Sequence, residues 1–167
     1  MKKRPVGRPR KHADNAARCR AYRKRQKRSV LFRRDTDQWE TPRDLFDEYA
    51  AEFHFTLDVA AIASNAKCDR YFTPEQDGLA QDWGQDICWC NPPYGLPLRK
   101  WIAKAYEASK CGATVVCLVP SRTDTVWWHT YVVLYAEIRY IKGRRNFGQA
   151  NNAPFASVAV IFRPPMR

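Results

Sequence analysis

No apolar run in these 167 residues approaches the eighteen or so that a membrane-spanning helix needs. The N-terminus has no apolar stretch of the secretory kind, and Ser, which a transit peptide uses freely, first occurs at Ser29. C-x-x-C is absent. The six cysteines (Cys19, Cys68, Cys88, Cys90, Cys111, Cys117) are spaced neither as a disulfide framework nor as zinc ligands. Buried free thiols and no metal are therefore expected, in a soluble, reduced, intracellular chain. Acidic residues are nearly missing from the first 34 positions. These hold 15 basic residues and 1 acidic one, net +14, whereas residues 35–167 hold 14 and 16, net −2. Bulky apolar anchors are scarce there too: Val6, Tyr22 and Val30 are too few to hold a membrane surface. So basic a block suits nucleic acid. The expected organisation is a basic arm, residues 1–34, ahead of a near-neutral domain, residues 35–167.

Within the arm, Pro5 and Pro9 block helix and Gly7 adds freedom. Arg8-Pro9-Arg10 reads as an extended tripeptide with a guanidinium on each side of a slim centre. That shape suits the narrow, strongly negative minor groove of A·T-rich duplex. Gly7-Arg8-Pro9-Arg10 resembles the core of an AT-hook residue for residue, which implies Arg8 and Arg10 as groove contacts. A tail with generic phosphate affinity is the alternative. Ala13 to Arg28 contains no Pro or Gly and predicts a helix. It has almost no apolar stripe, so it is expected to be stable mainly against phosphates.

The remainder alternates strand and helix. Thr41-Pro42 opens a helix, with Thr41 as N-cap and Pro42 in the first turn, followed by Leu45, Phe46, Tyr49 and Phe53 at helical spacing. Strands are expected at Phe55–Val59, Ile87–Cys90, Ala113–Val119, Ala136–Ile141 and Ser157–Phe162, with helices at Leu98–Lys110 and from Asp124 to about Leu134. This order predicts an α/β class with a mostly parallel sheet in three layers.

Asn91-Pro92-Pro93-Tyr94 follows a buried strand directly. Ligands of open α/β sheets bind outside the carboxyl ends of the strands. Two prolines stiffen the backbone and leave only carbonyl oxygens to offer. Asn91 adds a neutral acceptor, and Tyr94 is expected to present a flat face. Acceptors beside an aromatic platform suit a planar ring-bound NH2 group. Accepting both its hydrogens helps turn its conjugated lone pair towards an electrophile.

Asn-Pro-Pro-Tyr resembles the catalytic motif of amino-methyltransferases that use S-adenosyl-L-methionine. Further stretches accompany it: Trp39-Glu-Thr-Pro42, Leu57-Asp-Val-Ala-Ala61, Tyr71-Phe-Thr-Pro74, Asp77-Gly-Leu-Ala-Gln-Asp-Trp83, Pro120 to His129, Gly143-Arg-Arg-Asn-Phe-Gly148 and Ala153-Pro-Phe155. Together they resemble the phage-type DNA N6-adenine methyltransferase (Dam) family over about residues 37–163. The resemblance implies a Rossmann-like methyltransferase sandwich preceded by the arm, and Asn91, Pro92, Pro93 and Tyr94 as the catalytic set. It places Thr41 and Pro42 near the methionine end of the cofactor, Asp58 and Ala60 at the turn after the first strand, and Asp77 and Asp82 near its ribose or adenine. The usual Gly-rich turn is replaced here by Ala60-Ala61-Ile62-Ala63-Ser64-Asn65, which weakens the cofactor signal. Phe147 is expected to reach the flipped base from the side opposite Tyr94.

The implied partner is double-stranded DNA, whose target base must leave the stack, and the implied setting is the cytoplasm of a bacterial host, phage- or prophage-encoded. No membrane is expected, and a monomer is. The 133 or so residues of the domain leave no room for a separate target-recognition domain, so loops 95–100 and 143–152 are expected to read bases. Methylation of RNA or of a protein glutamine, and a silent DNA-binding regulator, are the competing readings. A minor-groove hook disfavours the first two, and an intact Asn91–Tyr94 motif the third.

Overall fold

The computed structural model describes residues 39–144 and 153–165. The expectations for the arm, for Arg8 and Arg10, for Cys19 and for Phe147 lie outside these residues. Helix α1, Arg43–Phe53, buries Leu45, Phe46, Tyr49 and Phe53 along one stripe. It ends where His54 turns left-handed (φ 55°) and returns its N–H to the Ala50 carbonyl at 3.0 Å. The helix starts one residue later than expected. Pro42 is extended (ψ 139°) and stands at the cap without a side-chain bond, while its carbonyl receives the Phe46 N–H at 3.1 Å. Thr41 is thus not the N-cap, because its hydroxyl is engaged elsewhere.

Strands β1 (Leu57–Asp58) and β2 (Ile87–Cys90) precede helix α2 (Leu98–Lys110) and strand β3 (Thr114–Pro120). A π-helical turn, Trp128–Val132, then runs into the short α3 (Val133–Tyr135), followed by β4 (Glu137–Tyr140) and β5 (Ser157–Phe162). The expected helix from Asp124 to about Leu134 is thus helical over 126–135, with a wide central turn that lets Trp128 and Val132 both enter the core. Sheet order is β1-β2-β3-β5-β4. The first three strands are parallel, and β5 is antiparallel to both β3 and β4. The sheet is thus parallel at its start and mixed at its end, since β4 and β5 are consecutive and pair as a hairpin does. β1 is shorter than expected, but the Thr56 N–H on the Ile87 carbonyl (2.9 Å) and the Val59 N–H on that of Trp89 (3.0 Å) continue its edge.

Alternation along the strands sends side chains to two cores. Cys88, Cys90, Val115, Cys117, Val158 and Val160 pack with Leu98, Trp101, Ile102 and Ala105 of α2. Trp89, Val116, Leu118, Ala159 and Ile161 pack with α1. Cys88, Cys90 and Cys117 are the expected buried thiols; Cys111 is exposed and Cys68 half-buried, so that expectation fails for two residues beyond the strands. Among the described residues no helix is long and apolar enough to cross a membrane. With a helix on each face, what remains open is the carboxyl edge of the sheet, where β1 and β2 end side by side with Asp58 opposite Trp89.

Candidate active site

β2 delivers Asn91 to that edge, and three hydrogen bonds fix its carboxamide. Nδ2 donates to the Trp39 carbonyl and to Thr41 Oγ1, the latter at 2.9 Å. Oδ1 accepts the Tyr94 hydroxyl at 2.8 Å. A carbonyl only accepts, so the amide cannot be turned over without losing the Trp39 bond. Oδ1 keeps a second lone pair, so Asn91 is a pre-aimed acceptor. Thr41, expected as a cap, is instead what aims it.

Tyr94 differs from expectation. Its ring is only 3% exposed, packed edge-on against Phe155 with centroids 5.5 Å apart. Its hydroxyl also lies 3.2 Å from the Leu118 carbonyl. Burial pushes the phenol well above its ordinary pKa, so it remains a neutral donor. The flat face is spent on the core, because a ring on a strand-end turn packs inward when an apolar neighbour such as Phe155 is available.

A cavity of about 360 Å³ opens over the ends of β1 and β2. Its wall gathers Thr41, Asp58, Ala60, Asp77, Asn91, Pro92 and Pro93 from four separate stretches. Pro42, Asp82 and Tyr94 are not among its lining residues. Asp82 Oδ1 instead receives the Gly84 N–H at 2.9 Å and closes a turn. Sequence reading missed Glu40, Lys67, Phe72, Gly78 and Trp101 on this wall.

Asp58 is buried, 3% exposed, yet both its oxygens are met: Oδ1 by the Ala60 N–H at 3.3 Å, Oδ2 by the Lys67 N–H at 3.1 Å. Burial pushes the carboxyl from its ordinary 3.8 up to about 6, against the lowering pull of those two donors. Lys67 also pairs with Glu40 at 3.7 Å. The segment carrying these residues is laid along β1. The Asp58 N–H bonds the Arg70 carbonyl, the Phe72 N–H bonds that of Asp58 (both 2.9 Å), and the Ala61 N–H bonds that of Phe72 (3.1 Å). Residues far from β1 in sequence thereby form one wall. Asp77 adopts a left-handed φ of 51° and receives the Leu79 N–H at 3.2 Å.

Gly78 holds that corner. A Cβ there would stand 2.2 Å from the Val59 carbonyl oxygen and 3.1 Å from the Trp101 ring, while the Gly78 carbonyl accepts the Trp83 indole N–H at 2.8 Å. Backbone cannot yield as a flexible side chain does. Gly78→Ala is therefore expected to destabilise the protein by about 2–3 kcal/mol and displace Asp77 from the wall. A urea unfolding midpoint unchanged from that of the parent would show that the contact is not tight.

Comparisons with known proteins identify the family. A family model described as DNA N-6-adenine-methyltransferase (Dam) matches residues 28–165. The protein of that name from Haemophilus phage HP1 (strain HP1c1) is 36% identical over 114 residues, 66% of this chain and 65% of that protein. The one from Escherichia phage T1 is 30% identical over 108 residues, 64% of this chain and 45% of that protein. The matched region is thus just under two thirds of the first relative's length and less than half of the second's. A match running from residue 28 to 165 takes in β1, the Asn91–Tyr94 edge and every wall of the cavity, and on that ground the chain belongs to the DNA N-6-adenine-methyltransferase (Dam) family.

Proposed function

We propose that the chain transfers a methyl group from S-adenosyl-L-methionine to N6 of adenine in double-stranded DNA, on a Rossmann-like three-layer methyltransferase sandwich. The observation that carries the reading is that Asn91, its carboxamide fixed by three hydrogen bonds, stands on the wall of a cavity of about 360 Å³. That volume is in the range of small-molecule and cofactor pockets. Its lining holds three carboxylates, Glu40, Asp58 and Asp77, against one ammonium, Lys67, a balance that favours a cationic ligand. Phe72 and Trp101 add apolar surface for a nucleoside. Thr41, Asp58, Ala60 and Asp77 would hold the cofactor. When bound, it supplies an electrophilic methyl on a sulfonium sulfur.

The chain's own part is orientation and electrostatics. Asn91 Oδ1 and the carbonyl edge of Pro92-Pro93 accept the hydrogens of the adenine amine and turn its lone pair out of the ring plane. The stiffness of the two prolines means little reorganisation is needed during the reaction. Tyr94 acts through Asn91, as a positioning residue, by donating to Oδ1. Pro42 and Asp82 act at one remove, Pro42 by starting α1 beside Thr41, Asp82 by closing the turn after the Asp77 corner.

Incubation with methyl-labelled cofactor and unmethylated plasmid DNA, RNA or protein tests this reading. Label is expected in N6-methyladenine of the duplex, read by mass spectrometry of nucleosides. Label in RNA or in glutamine would overturn the DNA assignment. Label nowhere would leave a silent DNA-binding regulator.

A pH dependence follows from Asp58. Its carboxyl titrates near 6, above the ordinary 3.8, so it is ionised above that pH and neutral below. A ligand ammonium gains from the ionised form only. Affinity for S-adenosylhomocysteine, which keeps the ammonium group, is expected to be constant above about pH 7. By pH 5 it should be about tenfold weaker. Asp58→Asn is expected to bind weakly and without this pH dependence. Calorimetry between pH 5 and 8 decides; a flat profile for the parent chain would remove Asp58 from the cofactor's contacts.

A further inference from the structure

Leu96 is 95% exposed, although Tyr94 and Leu98 on either side of it are 3% and 1% exposed. The contrast is built by a turn. The Leu98 N–H closes on the Gly95 carbonyl at 3.2 Å, leaving Leu96 and Pro97 at the corner. This corner is stiff. Pro97 has φ −68° and takes the Lys100 N–H on its carbonyl at 2.8 Å, and Arg122 reaches the Tyr94 carbonyl at 3.4 Å. A single exposed leucine needs no explanation by itself, but its surroundings are unusual. No Asp or Glu occurs from Ile87 to Tyr106. The first turn of α2 carries exposed Arg99 and Lys100 and no acid. Cations at a helix N-terminus oppose the helix dipole, an arrangement that suits a polyanion lying across it.

We propose that Leu96 is the wedge that enters the DNA base stack as the target adenine leaves it, with Arg99 and Lys100 on the flanking phosphates. The proposal rests on the methyltransferase reading above. A flipped base leaves two unstacked faces, and an inserted apolar side chain covers them. Leu96 lies five residues after Asn91 on the same proline-stiffened loop, so the group that opens the stack and the group that receives the amine are carried by one rigid piece. Reading of neighbouring bases by this loop is then secondary to opening the helix.

The full chain is tested as Leu96→Ala and Leu96→Phe. The substrates are unmethylated plasmid duplex and the same DNA heat-denatured to single strands. Leu96→Ala is expected to lower kcat/KM on duplex at least tenfold, and on single strands less than threefold. Leu96→Phe, still a wedge, is expected to keep at least half of the duplex activity. Arg99→Gln with Lys100→Gln is expected to raise KM for duplex about fivefold with kcat little changed. S-adenosylhomocysteine affinity shows whether each variant remains folded. Unchanged duplex activity in Leu96→Ala, an equal loss on both substrates, or failure of Leu96→Phe to rescue overturns the wedge. Where only duplex is methylated, the Phe rescue decides. Label in neither DNA form from the parent chain overturns the reading as a DNA methyltransferase, and the wedge with it.

Discussion

Asn91→Ala is expected to lower the turnover of methyl transfer at least a hundredfold while leaving cofactor affinity within about threefold. The basis is the proposal that Oδ1 meets the substrate amine, since an oriented acceptor strengthens as charge develops on that nitrogen. Single pre-aimed hydrogen-bonding groups of this kind are worth about a hundredfold to a thousandfold in kcat. The variant also loses the bonds to Trp39 and Thr41, a stability cost of about 1–2 kcal/mol, so thermal unfolding must be followed beside turnover. Thr41→Val separates the two effects. It removes one acceptor of Nδ2 without touching Oδ1, and kcat should fall by no more than about tenfold. Loss confined to kcat identifies a group used in the transition state. If Asn91→Ala keeps more than about a tenth of parental turnover, the Asn91 oxygen is not the amine's acceptor.

Asn91 was legible in the sequence because its signal is local: a buried strand, then Asn, then two prolines. The same holds for α1, whose apolar spacing needs no distant partner, and for β2 and β3. What could not be read depends on contacts across the chain. Tyr94 is turned inward by Leu118, 24 residues on, and by Phe155. Thr41 is diverted from its cap by Asn91, 50 residues away. Asp77 and Asp82 look alike in sequence. Only the seating of Gly78 against Val59 shows why the first reaches the wall and the second does not. A glycine followed at five residues by a tryptophan was a weak signal for that corner. Lys67 joins the site because residues 70–72 bond along β1, a pairing that carries no local mark. The short parallel strands follow from the same cause, since flanking segments rather than the strands themselves complete the edge.

Removal of residues 1–34 is expected to weaken duplex affinity by two orders of magnitude or more at low salt, with kcat at saturating DNA kept within about threefold. We propose this role for the arm from its charge alone. It carries net +14, and residues 35–167 carry net −2. A domain of that balance has little long-range attraction for phosphate, so most released counterions must be displaced by the arm. The slope of log affinity against log salt should therefore flatten towards the few contacts that Arg99 and Lys100 would make. Every described residue that lines the cavity lies at or beyond Trp39, which is why turnover should survive. Arg8→Ala with Arg10→Ala tests the finer claim. A groove hook reads the narrow A·T minor groove, so this pair should weaken binding to A·T-flanked duplex more than to G·C-flanked duplex. A phosphate clamp would lose equally on both. Filter binding across a salt series, on two duplexes that differ only in their flanks, separates hook from clamp. An arm deletion that leaves affinity within tenfold would move the DNA-binding charge onto the domain itself.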